Sequence, residues 1–287
     1  FIEDLITSDK LKIILGIRKN EALAFVKRGL EDFSISRSRK RAKNWGVPVP
    51  GDPDQIMYVW FDGLNIYQSG IGFGWDENKY NQWKPQDVMV IGKGILRFHA
   101  IYWPAILQSA QLSIPKQLFI HGYLTVDGQK MSKTLGNVVD PNQFIEKYGT
   151  DAVRYYLLRE IPSYGDGDFS ERRFKELYNA DLANGIGNLV ARVAKLCQTD
   201  GINGITDYSK DLYNLRSSLN TGGYTDHLNT FEFNLALEEL WRKIKSLDIQ
   251  IGNDAPWAKS KQEREGYLKS YAKRLLRQLE GVLLPGL

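Results

Sequence analysis

Two short apolar segments on either side of a helical segment constrain the fold of this chain more than any other feature. Residues 88–91 form a continuous apolar run, which is typical of a strand buried on both faces. Residues 92–94 predict a turn, residues 95–110 predict a helix, and residues 118–121 predict a second buried strand. A helix that connects two such strands predicts a βαβ unit of a parallel α/β sheet.

Both predicted strands end at glycine and polar residues. Gly92 and Lys93 follow the first strand, and Gly122 and Tyr123 follow the second. Ligands of a parallel α/β sheet bind at the carboxyl ends of its strands, so we expect these four residues to line a ligand site. Backbone N–H groups at the start of the following helix are suited to bind anions or ribose hydroxyls.

The first third of the chain has weaker patterns. Residues 1–30 are predicted to be mostly helical, residues 33–36 to form a short strand and residues 55–61 to form a longer strand. Three prolines within residues 48–53 argue against regular structure there. The glycine- and aromatic-rich residues 70–86 predict an irregular loop.

The pattern changes from strands to helices after residue 170. Residues 174–196, 233–247 and 268–279 each place apolar side chains at helical spacing, which predicts an antiparallel helical bundle. Two glycines among the short polar residues 164–168 predict a flexible boundary before it. The predicted fold class is therefore α/β followed by all-α.

Composition excludes several classes of protein. The single cysteine among 287 residues excludes a disulfide framework and a cysteine-based zinc site in this chain. No apolar run approaches the roughly 18 residues of a membrane span. The formal net charge of +4 is compatible with nucleic acid binding but does not require it.

Residues 37–43 carry five positive charges. A solvated loop is the favoured interpretation of this segment, and a phosphate contact to substrate or RNA is the alternative.

A loop that contains two lysines has the most specific pattern in the chain. Asp127 and Gly128 predict a type I′ turn and therefore a tight hairpin. Lys130 and Lys133 can then bring two ammonium groups to a polyphosphate, and a mobile loop allows this charge to arrive in the transition state. An exposed loop with surface lysines is the alternative.

Two further groups of residues allow a structural or a functional interpretation. His99, Tyr102 and Trp103 lie on one face of the predicted helix, which by itself is more typical of a packed core than of a pocket. Asn188 and Arg192 form a polar line on an otherwise apolar helix, for which a solvated face is the usual explanation.

Residues 130–134, Lys-Met-Ser-Lys-Thr, resemble the KMSKS signature of class I aminoacyl-tRNA synthetases. The chain resembles the methionyl-tRNA synthetase family in particular, because seven segments match it in order over nearly the whole length. Besides the lysine signature, these segments are residues 33–37, 58–62, 98–104, 121–123, 151–157 and 255–257.

The resemblance implies that this chain is the C-terminal part of such an enzyme and a piece of a longer protein. The first half of the family carries a His-x-Gly-His signature that binds ATP, and this sequence contains no such string. Residues 1–36 would be the end of the connective-peptide insertion, without its zinc knuckle. Residues 37–168 would be the second half of a Rossmann-type catalytic domain, and residues 169–287 a helical anticodon-binding domain.

The resemblance also implies roles for individual residues, with Lys130 and Lys133 as the catalytic pair. ATP would be bound by Gly92, Lys93, His121, Gly122, Leu124, Lys130, Met131, Ser132 and Lys133. Methionine would be bound by Trp60, Gly63, Leu64, Tyr67, His99, Tyr102 and Trp103. The tRNA anticodon would be read by Asn188, Arg192 and Trp257. Where the family usually has an aspartate that contacts ribose, this sequence has Gly94, so water or a neighbouring residue would have to replace that contact.

The pocket interpretation of the aromatic residues has a physical basis. A polarizable sulfur is favoured at aromatic edges, and a polar group such as His or Tyr rejects isosteric hydrocarbons. With the resemblance, we expect His99, Tyr102 and Trp103 to contact methionine.

The expected activity is ATP-dependent formation of methionyl-adenylate, followed by transfer of methionine to tRNA(Met). ATP with Mg²⁺ would be the only cofactor, with no metal ligands in this chain, and the chain is expected to be a cytoplasmic monomer without a membrane partner. A net charge of +4 does not separate cytosol from organelle. A second chain that carries the N-terminal half is an alternative arrangement.

Two other functions stay open at this stage. Another class I synthetase for an apolar amino acid is disfavoured by Trp60, His99 and the Ala-Pro-Trp of residues 255–257. A non-catalytic tRNA-binding subunit or paralogue is favoured slightly by the missing half and by Gly94, and disfavoured by the intact lysine signature.

Overall fold

Residues 1–202 and 223–283 are described in the structure, which is a computed structural model. The chain divides into two units, Phe1–His121 and Gly122–Leu287. The domain boundaries expected at residues 36 and 168 do not coincide with this division and stay predictions. Residues 203–222 and 284–287 of the expected helical domain lie outside the described residues.

The first unit combines two small sheets with short helices. In chain order its elements are α1 (Ile2–Thr7), β1 (Lys12–Ile14), α2 (Gly16–Lys27), β2 (Ser36–Ser38), β3 (Pro48–Val49), β4 (Asp52–Met57), α3 (Val59–Ser69), α4 (Glu77–Trp83), β5 (Met89–Gly92), α5 (Trp103–Ser109) and β6 (Gln117–His121). A 3₁₀ turn (Lys93–Ile95) and a π-helical turn (Phe98–Tyr102) lie between β5 and α5.

A parallel sheet with the strand order β1-β6-β5 forms the centre of this unit. Ile91 of β5 pairs with Ile120 of β6, and Ile13 of β1 pairs with Leu118 of β6. The predicted βαβ unit is thus confirmed. The sheet packs against the buried side chains of α1, α3 and α5 in one apolar cluster, so its carboxyl ends have fixed positions.

One of two sequence predictions for this part of the chain is wrong. Residues 1–30 are mostly helical as predicted, since α1 and α2 cover 18 of them, and the three-residue strand β1 between these helices was not predicted because it is too short to produce a recognisable alternation. Residues 88–91 are not buried on both faces, since Val90 is 62% exposed while Met89 and Ile91 are buried. Successive residues of a strand point to opposite faces, and the described elements cover only one face of β5.

The second sheet has the antiparallel order β2-β4-β3 and corrects two further predictions. The strand expected at residues 33–36 begins at its last residue and covers Ser36–Ser38. Residues 48–53 contain regular structure despite their prolines, because Pro48 opens β3 and Pro53 is the second residue of β4. Proline is tolerated at strand ends, where its missing N–H removes little of the ladder.

The predicted strand at residues 55–61 is also wrong in its second half. β4 ends at Met57, and residues 59–61 begin α3, which buries Leu64 and Gln68 on one side. Burial of that helical face outweighs the strand preference of the aromatic and β-branched residues. The loop expected at residues 70–86 contains α4, whose N-terminus is capped by the Asp76 carboxylate, which accepts a hydrogen bond from the N–H of Lys79 at 3.0 Å.

The second unit begins with a small mixed sheet and continues as helices. Its elements are β7 (Leu124–Val126), β8 (Gln129–Lys130), α6 (Pro141–Tyr148), α7 (Thr150–Glu160), β9 (Gly167–Phe169), α8 (Glu171–Leu177), α9 (Asn188–Thr199), α10 (Gly223–Asn229), α11 (Phe233–Asp254) and α12 (Lys261–Leu283). A π-helical segment (Tyr178–Gly187) joins α8 to α9, and a 3₁₀ turn (Pro256–Ala258) lies between α11 and α12.

The sheet of the second unit has the order β8-β7-β9. β7 and β8 form the predicted hairpin, with Asp127 and Gly128 both at positive φ, 47° and 75°. β9 pairs with β7 in parallel, so residues 164–168 are not simply a flexible boundary. Gly167 permits this pairing beside Ile161, whose Cγ2 would lie 2.4 Å from a Cβ at position 167.

The helices predicted after residue 170 are present. α9, α11 and α12 share an apolar cluster that includes Leu189, Val193, Leu240, Ile244 and Leu275. The coarse architecture is therefore mixed α/β with a parallel sheet, followed by helices. Across residues 1–202 and 223–283, no helix combines the length and apolar character needed to cross a membrane.

Candidate functional site

An aromatic cluster on α3 and the π-helical turn contains most of the residues predicted to bind methionine. The turn has a local cause, because Pro104 near the start of α5 has no N–H with which to continue an α-helical ladder. The wider turn places His99 and Trp103 against Tyr67, with ring centroids 5.6 Å and 6.2 Å from that of Tyr67. Trp60 lies with its ring edge-on to His99 at 6.4 Å.

His99 is the polar centre of this cluster and is 1% exposed. Its Nδ1 lies 2.9 Å from the carbonyl oxygen of Ile95, and its Nε2 lies 3.0 Å from the hydroxyl of Tyr67. A carbonyl only accepts, so Nδ1 carries the proton and Nε2 accepts from the Tyr67 hydroxyl. Burial lowers the pKa of His99 below its ordinary value and raises that of Tyr67, so both side chains are neutral near pH 7.

Three other predicted methionine residues occupy different surroundings. Leu64 is buried in the core next to the cluster, whereas Gly63 lies on the exposed side of α3. Tyr102 contacts Phe33, with ring centroids 4.5 Å apart, so it does not share a face with His99 and Trp103. The reason is the π-helical turn, in which residues three apart no longer align.

Phe98 is a member of the cluster that the sequence did not indicate. Its ring stacks on Trp60 with centroids 4.0 Å apart and meets Tyr102 at 5.5 Å. Its spacing of four residues from Tyr102 was an available signal, because residues i and i+4 of a helix lie on one face. The cluster is an aromatic wall with one fixed polar group, an arrangement suited to a thioether side chain.

The carboxyl ends of β5 and β6 bring two predicted ATP residues together. Gly92 pairs in register with His121, and a Cβ at position 92 would lie 3.6 Å from Cε1 of the imidazole. Lys93 begins the 3₁₀ turn directly after Gly92, and Gly94 is exposed within that turn. The strand ends are thus arranged as expected for a ligand edge.

The predicted ATP residues of the second unit lie on and around the β7–β8 hairpin. Gly122 requires the absence of a side chain, because a Cβ there would lie 1.9 Å from the carbonyl oxygen of Gly165. Leu124 is half-buried in β7. Met131 and Ser132 are half-buried beyond the end of β8.

Lys130 and Lys133 are exposed on the lysine loop, defined here as residues 130–137. Neither ammonium group forms an ion pair with any carboxylate in the described part of the chain. Both ammonium groups are therefore available to bind an anionic ligand.

Asn137 closes the lysine loop, a role that the sequence reasoning missed. Its Oδ1 accepts a hydrogen bond from the N–H of Ser132 at 2.8 Å, and its Nδ2 donates to the carbonyl oxygen of Lys130 at 3.1 Å. The hydroxyl of Ser132 accepts from the N–H of Thr134 at 3.2 Å. These bonds fix the backbone between the two lysines and leave the lysine side chains unconstrained.

Two aspartates before and within β9 hold the hairpin, Asp166 at its start and Asp168 at its turn, and they were also missed. One carboxylate oxygen of Asp168 accepts from the N–H of Gly128 at 2.8 Å and from the hydroxyl of Thr125 at 2.6 Å. Asp166 accepts from the N–H of Tyr123 at 2.8 Å. The signal in the sequence was the alternation Gly-Asp-Gly-Asp at residues 165–168, which indicated a flexible turn instead.

The predicted anticodon residues lie on the helices of the second unit. Asn188 and Arg192 are exposed on α9, and Arg192 forms an ion pair with Asp248 of α11. Trp257 is 52% exposed in the 3₁₀ turn after α11, while its neighbour Pro256 is buried. Trp257 is therefore not a buried cap between helices, and about half of its side chain is accessible to solvent.

The candidate residues are distributed over both units. The aromatic cluster and the Gly92–His121 edge belong to the first unit, and the lysine loop and anticodon residues belong to the second. Within residues 1–202 and 223–283, no group of three or more His, Cys, Asp or Glu side chains is arranged to hold a metal ion.

Comparison with known proteins gives one family. A family model described as class I tRNA synthetases (M) matches residues 2–194. The methionine–tRNA ligase of Thermotoga maritima is 39% identical over 274 residues, 92% of this chain and 42% of that protein. The methionine–tRNA ligase of a Nostoc species is 44% identical over 259 residues, 86% of this chain and 48% of that protein.

A solved structure of a methionyl-tRNA synthetase also matches this chain. The structure of methionyl-tRNA synthetase from Mycobacterium tuberculosis bound by methionyl-adenylate has a TM-score of 0.84 and 33% sequence identity to this chain. The match covers 98% of this chain and 58% of that one. The chain thus spans about half the length of the curated relatives it matches.

Proposed function

Because this chain belongs to the family of class I tRNA synthetases (M), we propose that it carries part of a methionine–tRNA ligase. The full protein would form methionyl-adenylate from methionine and ATP, release pyrophosphate and transfer methionine to tRNA(Met). The observation that carries this proposal is the lysine loop, in which Asn137 fixes the backbone while Lys130 and Lys133 stay exposed and without described ion pairs.

The reaction requires no protein nucleophile. The methionine carboxylate attacks the α-phosphorus of ATP, a new carboxyl–phosphate bond forms, and the bond to pyrophosphate breaks. Negative charge builds on the leaving phosphates, and the ammonium groups of Lys130 and Lys133 neutralise it. Since the loop backbone is held by Asn137, little reorganisation is needed when that charge appears.

Mg²⁺ would enter with ATP and would neutralise part of the phosphate charge. The described residues offer lysines rather than a cluster of carboxylates, so the phosphates of ATP would be the ligands of the ion. In the first unit, Gly92, Lys93 and His121 would contact the nucleoside at the strand ends. Gly122 and Leu124 are the corresponding candidates of the second unit.

The aromatic cluster would provide methionine specificity. Trp60 and Tyr67, which are half-buried, would contact the thioether, and the buried rings of His99 and Trp103 would support them from behind. The hydrogen bond from Tyr67 to His99 keeps a neutral imidazole at the centre of the cluster. An isosteric hydrocarbon would lack the polarizable sulfur that aromatic rings favour, which disfavours it.

The helical part of the second unit would bind the anticodon. Asn188 and Arg192 offer hydrogen bonds to base edges, and Trp257 offers a stacking face. Arg192 would have to exchange its ion pair with Asp248 for the RNA. The proposed arrangement is a Rossmann-type catalytic domain followed by a helical anticodon-binding domain, and the cytoplasmic location stays a prediction.

The test is amino-acid-dependent exchange of pyrophosphate into ATP by the full-length protein that contains this chain. Methionine should support the exchange, and leucine, isoleucine and valine should not. Exchange with one of the other amino acids would assign a different class I synthetase. No exchange with any amino acid, in a folded protein that binds tRNA, would assign a non-catalytic tRNA-binding protein.

A further inference from the structure

A cavity of about 420 Å³ lies within the second unit, where α7, the π-helical segment, α9 and α11 meet. Its volume is in the range of small-molecule sites. Leu189, Trp241 and Ile244 form the apolar part of its wall, and charged side chains of both signs form most of the rest. None of these lining residues is among those proposed to bind methionine, ATP or the anticodon.

The indole of Trp241 is held in a fixed orientation at this cavity. Its Nε1 donates a hydrogen bond to the hydroxyl of Tyr155, a buried residue of α7, and the two rings meet edge-on with centroids 6.2 Å apart. Gly185 lets the π-helical segment approach the indole, because a Cβ there would lie 3.2 Å from Cζ3 of Trp241. The cavity therefore has a rigid aromatic surface.

Arg159 is a half-buried cation of the cavity wall without a counter-ion. Its Nε is buried and has no hydrogen-bond partner in the described structure. Its guanidinium forms no ion pair with any carboxylate in residues 1–202 or 223–283. A charge that has lost water and gained no partner costs free energy, and an anionic group of a ligand would offset that cost.

Asp181 is a half-buried carboxylate of the same wall, and it also lacks an ion pair within the described part of the chain. Its Oδ2 accepts a hydrogen bond from the hydroxyl of Tyr155 at 2.6 Å. The charged atoms of Arg159 and Asp181 are more than 4.0 Å apart, although both residues line one cavity. A ligand that carries both signs of charge can therefore pair with each of them.

We propose that this cavity binds a free aromatic amino acid. The carboxylate of the ligand would pair with Arg159, its ammonium group with Asp181, and its ring would pack against Trp241. A ligand with only a carboxylate would meet the negative charge of Asp181 without compensation, and one with only an ammonium group would meet Arg159. The charges of the wall thus favour a zwitterion over a simple anion or cation.

The proposed site goes beyond the proposed function and does not rest on it. Its residues belong to the second unit, whereas the aromatic cluster proposed to bind methionine belongs to the first. Asp248, the ion-pair partner of Arg192, also lines the cavity. The bound amino acid would therefore lie beside a residue proposed to read the anticodon.

Isothermal titration calorimetry on the full-length protein tests the class of ligand, with L-phenylalanine as the probe. We expect a dissociation constant of about 1 mM or below. 3-Phenylpropionate lacks the ammonium group, and phenethylamine lacks the carboxylate. Each should bind at least about tenfold more weakly than phenylalanine, because one charge of the cavity then stays unpaired.

Two conservative variants locate the site. Arg159→Gln should weaken phenylalanine binding about tenfold, and Arg154→Gln, at an exposed arginine of the same helix outside the cavity, should leave it unchanged. Asp181→Asn keeps an oxygen that accepts from the Tyr155 hydroxyl, so the fold is retained. This variant should bind phenylalanine about tenfold more weakly but 3-phenylpropionate more tightly, because a repulsive charge is removed.

The control for Asp181→Asn is Asp226→Asn, at an exposed aspartate of α10 outside the cavity, which should bind both compounds like the wild-type protein. Methionine-dependent pyrophosphate exchange should be unchanged in Arg159→Gln and Asp181→Asn. Failure of this proposal is therefore distinguishable from failure of the proposed function.

Three results would overturn the proposal. The wild-type protein could fail to bind phenylalanine. 3-Phenylpropionate could bind as tightly as phenylalanine, which would assign a simple carboxylate ligand. Arg159→Gln could bind phenylalanine as tightly as the wild-type protein, and loss of binding in Tyr67→Phe would then place the amino acid in the aromatic cluster of the first unit.

Discussion

At the scale of single residues, the hydrogen bond between Tyr67 and His99 determines the chemistry of the aromatic cluster. It joins two polar side-chain groups within a set of aromatic rings, with a distance of 3.0 Å. A buried imidazole without that donor would have an unsatisfied Nε2, which costs free energy whether or not a ligand is bound. Removal of the Tyr67 hydroxyl is therefore expected to affect His99 as well.

Tyr67→Phe removes the donor and keeps the ring. We expect kcat/KM for methionine to fall about tenfold and the discrimination against norleucine to decrease, because Nε2 of His99 loses its partner. Pyrophosphate exchange with both amino acids measures this. Tyr80→Phe is the matched control, since Tyr80 is buried in the same unit and its hydroxyl has no hydrogen-bond partner in the described structure. Equal effects of the two substitutions would contradict the assignment.

His99 also predicts a pH dependence of stability. Burial lowers the pKa of His99 below 6.5, so below that pH the unfolded chain binds a proton that the folded protein does not. The free energy of unfolding should therefore decrease as the pH falls from about 7.5 to about 5.5, and His99→Asn should show a smaller decrease. Denaturant unfolding at both pH values measures the difference. An equal decrease in both proteins would show that His99 does not titrate in this way.

At the scale of elements, the β7–β8 hairpin and its loop show how local sequence positions reactive groups. The type I′ turn fixes the hairpin, Asp168 of β9 binds the N–H of Gly128 in that turn, and Asn137 closes the loop that carries the lysines. The lysine side chains can then move while the backbone between them does not. Rigid support of mobile charges is the property that a polyphosphate site requires.

Asn137→Ala removes both hydrogen bonds that close the loop. We expect kcat of methionine-dependent pyrophosphate exchange to fall about tenfold to a hundredfold, with KM for methionine unchanged, because only the placement of Lys130 and Lys133 is disturbed. Asn142→Ala serves as the control, since Asn142 is exposed and bonds only to Asp140. A purely structural role of Asn137 would lower the melting temperature and leave kcat of the folded protein intact.

The elements that could be predicted are those with a complete local pattern. The βαβ unit and the hairpin have their full signatures in contiguous residues. β1 and β9 could not be predicted, because each has three residues and is stabilised by pairing with a distant strand, β6 or β7. The start of α3 was missed for a related reason. Burial of Leu64 and Gln68 stabilises this helix, and that burial depends on the tertiary fold. In the same way, the lysines could be identified from the sequence, but the Asn137 and Asp168 contacts that hold them could not.

At the scale of the whole molecule, the candidate residues fall into groups that different ligands would use. The first unit carries the aromatic cluster, and the second carries the lysine loop and the helices with Asn188, Arg192 and Trp257. If the helices bind the anticodon, tRNA binding and methionine activation should respond to different substitutions.

Trp257→Ala tests this separation. We expect it to weaken binding of tRNA with a CAU anticodon by about 1–3 kcal/mol with little change in salt dependence, because a stacking contact is lost rather than a charge. Pyrophosphate exchange should be unchanged. Equal affinity of the wild-type protein for a tRNA with an altered anticodon would show instead that the polar face of α9 is a solvated surface.

The central claim is that the lysine loop stabilises the transition state of methionine activation, and the most direct measurement is the rate of adenylate formation by the full-length protein with Lys133→Ala. The ammonium group of Lys133 is exposed and free of described ion pairs, so its removal should leave the fold and methionine binding intact. We predict a rate at least about a hundredfold lower, with an unchanged dissociation constant for methionine. Lys195→Ala, at an exposed lysine on α9, should retain the wild-type rate. A wild-type rate of adenylate formation in Lys133→Ala would contradict the account.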